Sequence, residues 1–196
     1  MSRKKQKPEQ EKDISAKTRS EVLADIQRLE KAGDANELGS YLIELSKWGE
    51  KPQQYENVLR NYLYSPEARL SEAAVFSLLF ALQIKKDEYR ACALKQLLEG
   101  EEEYEGSRFD AQQWAAASLA VAYQGTKDKE LLQIFFSFLD DEATDKLLKS
   151  SFASDVLLVW GVSSREQHFR CDTVSAKALL REFDTEFSAA RKLIAD

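Results

Sequence analysis

From Thr18 to the last residues of the chain, apolar positions recur at intervals of three and four, and no stretch keeps the period-two alternation of a half-buried strand. The pattern predicts helices almost throughout. Thr18-Arg19-Ser20-Glu21 has capping-box spacing, in which a hydroxyl and a carboxylate each satisfy an orphan backbone N–H, so a first helix should run to about Ala32. Gly33-Asp34 breaks it. A second helix is expected from Ala35 to Trp48, ending at Gly49, and a third from Pro52 to near Tyr64, closed by Ser65-Pro66. Ser71–Ile84, Asp87–Leu98, Asp110–Gln124 and Asp128–Leu139 read as four more. Glu142–Trp160 reads as a further helical region with a break near Ser150-Ser151, Val162–Asp172 as a loop, and Thr173–Ile194 as one or two closing helices. Before Ile14 the pattern stops: residues 1–14 are Lys, Gln, Glu, Pro and Ser with almost nothing apolar, the composition of a disordered tail, which leaves 15–196 as a single helical-repeat domain.

The pattern also repeats. Displaced by 41 residues, Ala74, Ser77, Leu78, Ala81, Gln83, Lys86, Asp87 and Leu98 fall on Ala115, Ser118, Leu119, Ala122, Gln124, Lys127, Asp128 and Leu139. Leu94 and Leu97 fall on Phe135 and Phe138, and a fainter copy places Leu59, Tyr62 and Leu63 on Leu94, Leu97 and Leu98. One such helix pair cannot bury its own apolar face and must stack on another. Through these units the chain resembles the HEAT-like family. The family's usual first-helix proline and second-helix Val-Arg pair are missing, so the likeness rests on period and apolar spacing. It implies an all-α, right-handed α-solenoid of stacked antiparallel helix pairs, about 8–10 helices in all. It further implies a curved, non-enzymatic surface whose concave side is lined by the second helix of each pair.

Charge changes the picture by position. Residues 1–19 hold seven basic and three acidic side chains, which leaves 21 basic against 31 acidic in the rest. In a stack of helix pairs the turns within units lie on one edge and the connections between units on the other. The connections hold Glu67, Glu99, Glu101, Glu102, Glu103, Glu105, Asp110, Asp140, Asp141 and Glu142 against Arg69 and Arg108, while the inner turns are slightly basic. An acidic edge would draw a basic partner and repel nucleic-acid phosphates. The plainer reading is that the glutamates are solvated and that Asp110, Asp140 and Asp141 cap helices.

Candidate chemistry is sparse. One histidine, two cysteines and seven glycines offer little for a catalytic or phosphate-cradling site, and no cofactor or metal is implied. His168 and Cys171 are close in sequence, but nothing beside them supplies the rest of a cysteine nucleophile's machinery, so enzyme function is disfavoured. Without an apolar run long enough to span a bilayer or a disulfide framework, the expected setting is cytoplasmic and away from membranes. The function that emerges is a protein-binding scaffold or adaptor, in its specific form an inhibitor or immunity factor covering a basic enzyme. A nucleic-acid-binding repeat is the alternative, weakened by the lack of a basic groove. The contact residues expected are Tyr55, Tyr62 and Tyr89 on second helices, Arg90, Phe136 at a surface, and the acidic edge through Glu101, Glu102, Glu103, Glu105, Asp140 and Asp141. Arg90 shares its helix side with Leu94 and Leu97, so pairing with a carboxylate of an adjacent helix is the competing role.

Overall fold

The computed structural model describes residues 17–46, 52–100, 107–166 and 174–196, with 52 and 107–110 by backbone alone. Every regular element among the described residues is helical. They are α1 (Arg19–Ala32), α2 (Ala35–Leu45), a 3-10 turn (Pro52–Tyr55) leading into α3 (Glu56–Arg60), α4 (Ala68–Val75) continued by a π-helical turn (Phe76–Ala81), α5 (Asp87–Glu99), α6 (Ser107–Ala122), α7 (Lys129–Asp140), α8 (Lys146–Trp160), α9 (Ala176–Glu182) and α10 (Asp184–Ala195). The expected tail, the end of the second helix at Trp48 and Gly49, and most of the 162–172 loop lie outside the described residues.

Local chemistry sets most boundaries. The capping box forms: Thr18 N–H donates to Glu21 Oε2 at 2.7 Å, and Glu21 N–H donates to the Thr18 hydroxyl. Gly33, in the left-handed region, closes α1, and Asp34 caps α2 through Glu37 N–H. Asp128 caps α7 and Asp145 caps α8, so α8 begins at Lys146 instead of Glu142. Nor does α8 break at Ser150-Ser151: the Ser150 hydroxyl donates back to Lys146 C=O, leaving the backbone ladder intact. Thr173–Ile194 resolves into two helices joined at Phe183. The π-helical turn was not legible in the periodicity. There Leu82 N–H donates to Ser77 C=O, five residues back, and the Ser77 hydroxyl reaches Leu42 C=O on α2 at 3.2 Å.

The two units of the 41-residue repeat fall on α4 with its π turn and α5, and on α6 and α7. Packing follows a row. α2 lies on α4, α4 and the π turn on α6, α6 on α8, and α8 on α9. A Cβ on Gly39 would come within 3.0 Å of Arg69 Cγ, a measure of how closely α2 and α4 approach. The later helices of the pairs sit beside this row, α5 on α6 and α7 on α8. Polar links join those later helices, Glu56 with Lys86 and Tyr89, Arg60 with Glu88, Arg90 with Asp128 and Glu130, Asp140 with Arg191, and α7 and α10 also meet through the Phe136 and Phe187 rings. Buried apolar residues from Val22 to Ala190 form one contiguous core. No described helix is long and apolar enough to cross a membrane.

Candidate interaction surface

Tyr55, Tyr62 and Tyr89 are buried, and Tyr89 entirely so. Two of the hydroxyls are taken: Tyr62 donates to Glu30, and Tyr89 to Glu56 at 2.6 Å. The hydrogen bonds from Lys86 and Tyr89 hold the Glu56 carboxyl below its ordinary pKa, while burial and the adjacent carboxylate raise the Tyr89 phenol. These tyrosines tie helix to helix and leave no aromatic recognition face, which corrects the expectation drawn from their position.

Arg90 is the polar residue that the sequence showed on an apolar side, and the structure gives it the bridging role. Its guanidinium makes a bidentate pair with Asp128 at 2.8 and 2.9 Å, reaches Glu130 at 2.7 Å, and lies 4.6 Å from the Tyr123 ring centroid. Asp128 therefore caps α7 and anchors α5 with one carboxylate. Burial is the largest influence and opposes its charge, but the Arg90 hydrogen bonds, the backbone N–H groups of Leu131 and Glu130 and the Arg90 charge together outweigh it and lower its pKa.

Phe136 is 2% exposed, against the expectation of a surface position. The Phe187 ring meets its edge at 6.1 Å and the Arg191 guanidinium covers it at 4.2 Å. The same guanidinium makes a bidentate pair with Asp140 at 2.6 and 2.7 Å, which keeps the Asp140 carboxyl below its usual pKa. Asp141 turns its side chain to Ala143 N–H. Of the acidic edge, Asp140 is thus committed to α10 and Asp141 to its own turn. Glu101, Glu102, Glu103, Glu105, His168 and Cys171 lie outside the described residues.

The surface that remains was not singled out in the sequence. Among the described residues the large apolar side chains standing most in solvent are Leu147 (79% exposed), Tyr64 (70%) and Leu98 (56%), and all three sit at connections between helix pairs. Around them in sequence are Glu67, Glu99, Asp141, Glu142 and Asp145, together with Arg69, Lys95, Lys146 and Lys149. Leu98 shares a repeat position with Leu139, yet Leu98 is exposed and Leu139 is buried. Leu147 lies in the helical region expected from Glu142 to Trp160. Since Asp145 starts the helix, Leu147 falls in its first turn and outside the packed side.

Between the Tyr64–Ser65 turn, α4 and α5 lies a cavity of about 510 Å³. Ser71, Cys92 and Gln96 form its polar floor, with Tyr64, Glu72, Lys95 and Glu99 about its mouth. Ser71 donates to Leu63 C=O at 2.6 Å, Cys92 Sγ donates to the same carbonyl at 3.2 Å, and Gln96 Nε2 donates to Ser71 Oγ at 2.8 Å. Burial raises the Cys92 pKa, as for a thiol that packs and stays protonated. No group of three or more His, Cys, Asp or Glu side chains among the described residues could hold a metal ion. No protein-family model, curated protein or solved structure matches the chain.

Proposed function

We propose that the chain is a non-catalytic helical-repeat scaffold that holds a basic protein partner along the connecting edge, as an inhibitor or immunity factor would cover a cationic enzyme. The observation that supports this most directly is the placement of Tyr64, Leu98 and Leu147 at the connections, with Glu67, Glu99, Glu142 and Asp145 close to them in sequence. Exposed apolar anchors set among charged side chains have the composition of an interface: the apolar groups give affinity, and the carboxylates, with Lys95, Lys146 and Lys149 among them, steer encounter and partner choice.

The stack itself belongs to the same reading. Helices α2, α4, α6, α8 and α9 pack each on the next, whereas α3, α5, α7 and α10 are bridged by long charged side chains. A right-handed solenoid so built would bend toward the closely packed row, the reverse of what the HEAT resemblance implies, and would leave the edge as the binding surface.

Three strongly basic proteins, lysozyme, ribonuclease A and a histone dimer, serve as probes, with a photo-crosslinking residue placed at 64, 98 or 147 and at Val162 on the other edge. Adducts from the first three positions that weaken with salt support the reading. Equal labelling from Val162, or no adduct with any of the three proteins at low salt, overturns it.

A further inference from the structure

The cavity beneath Tyr64 opens on the same edge, and its charges are balanced. Lys95 and Glu99, the exposed charges at its mouth, face each other at 3.7 Å. Glu72, 15% exposed, is turned to Arg69 at 4.0 Å. An ionic guest would find no counter-charge of its own, and a neutral one meets no repulsion. Deeper in, the donors are spent on the protein: the Ser71 hydroxyl and the Cys92 thiol on Leu63 C=O, and the Gln96 amide nitrogen on Ser71. Because the Ser71 hydrogen goes to Leu63, the part of the Gln96 amide that faces Ser71 is its NH2, and the oxygen lies on the other side of the amide. No donor among the described residues reaches that oxygen. The rest of the lining is small or apolar, chiefly Leu63, Ala68, Ala91 and Ala111, with the exposed Tyr64 ring at the rim. The cavity thus offers a neutral, largely apolar space of about 510 Å³, within the range of ligand pockets, with one open acceptor.

We infer that this cavity is a subsite for an aromatic side chain of the partner that carries a single donor, the indole of a tryptophan or the phenol of a tyrosine. The ring covers the alanine walls and packs against Tyr64, and its N–H or O–H donates to the Gln96 oxygen. A phenylalanine would fill the same space and leave that acceptor dry. An arginine or lysine would bring in a charge that only the exposed Glu99 could answer, at the expense of Lys95. Tyr64 and the adjoining Ser65 turn stand at the mouth, so a side chain can enter from a molecule lying along the edge. The inference rests on the edge-binding reading: charge brings the partner to the edge, and the ring anchors it there.

The test uses the full chain, ¹⁵N-labelled, and capped amino acids as probes: N-acetyl-tryptophan N-methylamide, its 1-methylindole counterpart, which keeps the ring and loses the donor, and N-acetyl-arginine N-methylamide. The tryptophan probe should shift the amides of Tyr64, Ser71, Cys92 and Gln96. The 1-methylindole probe should bind about fivefold more weakly, and the arginine probe should leave these amides unmoved. Gln96→Leu should bring the two indole probes to within about twofold of each other, and Ala91→Phe, at an exposed position of the wall, should abolish the binding of both. Unchanged thermal unfolding of Ala91→Phe shows that this variant is folded, so its arm stands even where Gln96→Leu proves unstable. Equal binding of the two indole probes to the native chain, arginine binding as tight as tryptophan binding, or shifts confined to residues outside the cavity overturns the subsite. Free indole is a further arm: a cavity that takes indole and refuses the capped tryptophan belongs to a free small molecule, and the partner's side chain is excluded. If the basic proteins still crosslink at position 147 while the tryptophan probe moves nothing near Tyr64, the subsite alone is lost. If neither binds, both readings fall.

Discussion

At the scale of residues, the structure depends on long polar side chains used as braces. Arg90 is mostly shielded from solvent, and its removal would leave the half-buried Asp128 carboxylate without its guanidinium. Arg90→Gln should therefore cost about 2–3 kcal/mol, seen as a lower urea midpoint with unchanged slope. Arg90→Lys should recover less than half of that, because an ammonium cannot make the bidentate contact. The same braces set the acid response. Glu56, Asp128 and Asp140 all have pKa values in the folded state below their ordinary 4.5, 3.8 and 3.8. The unfolded chain thus takes up protons first, and the stabilisation is complete above the ordinary carboxylate range and lost as pH falls through the lowered values. The urea midpoint should hold from neutral pH to about 5 and decline below about 4, and Arg90→Gln should flatten that decline.

At the scale of elements, two turns are fitted to each other by glycine. Gly125 N–H donates to Leu158 C=O and Lys127 N–H to Val159 C=O, which docks the α6–α7 turn on the end of α8. Gly161 has φ +91°, and a Cβ there would meet Gly125 Cα at 3.1 Å; the converse contact from Gly125 is 3.9 Å. Gly161→Ala should therefore cost more than Gly125→Ala, which bears only the left-handed backbone penalty of about 1 kcal/mol. Thermal unfolding of the two variants side by side checks the order. Much at this scale was legible: the capping box and the closing glycines need only residues within one or two turns of each other, and the repeat needs only the chain compared with itself. The π-helical turn was not, because it answers to Ser77 reaching α2 and to the Phe76 ring packing on Phe80 and Trp114.

At the scale of the whole molecule, the proposed binding edge and the packed core draw on different side chains. Tyr64, Leu98 and Leu147 bury little, so changing all three to Ser should leave the unfolding midpoint nearly unmoved while crosslinking to basic proteins from a reporter at Glu142 is lost. A large drop in stability would mean that these side chains are packing residues, and the edge would lose its claim.

Local pattern alone determined that this chain is helical, where most helices begin and end, and that two helix pairs are copies, since each follows from contacts a few residues apart. It also reduced Arg90 to two roles. Only the packed chain chose between them, put Phe136 under Arg191 and Phe187, and turned Tyr62 and Tyr89 inward. Helical spacing says which residues share a side. Whether that side meets a neighbour depends on partners more than thirty residues away, and for Leu98 and Leu139, alike in the repeat, those neighbours differ.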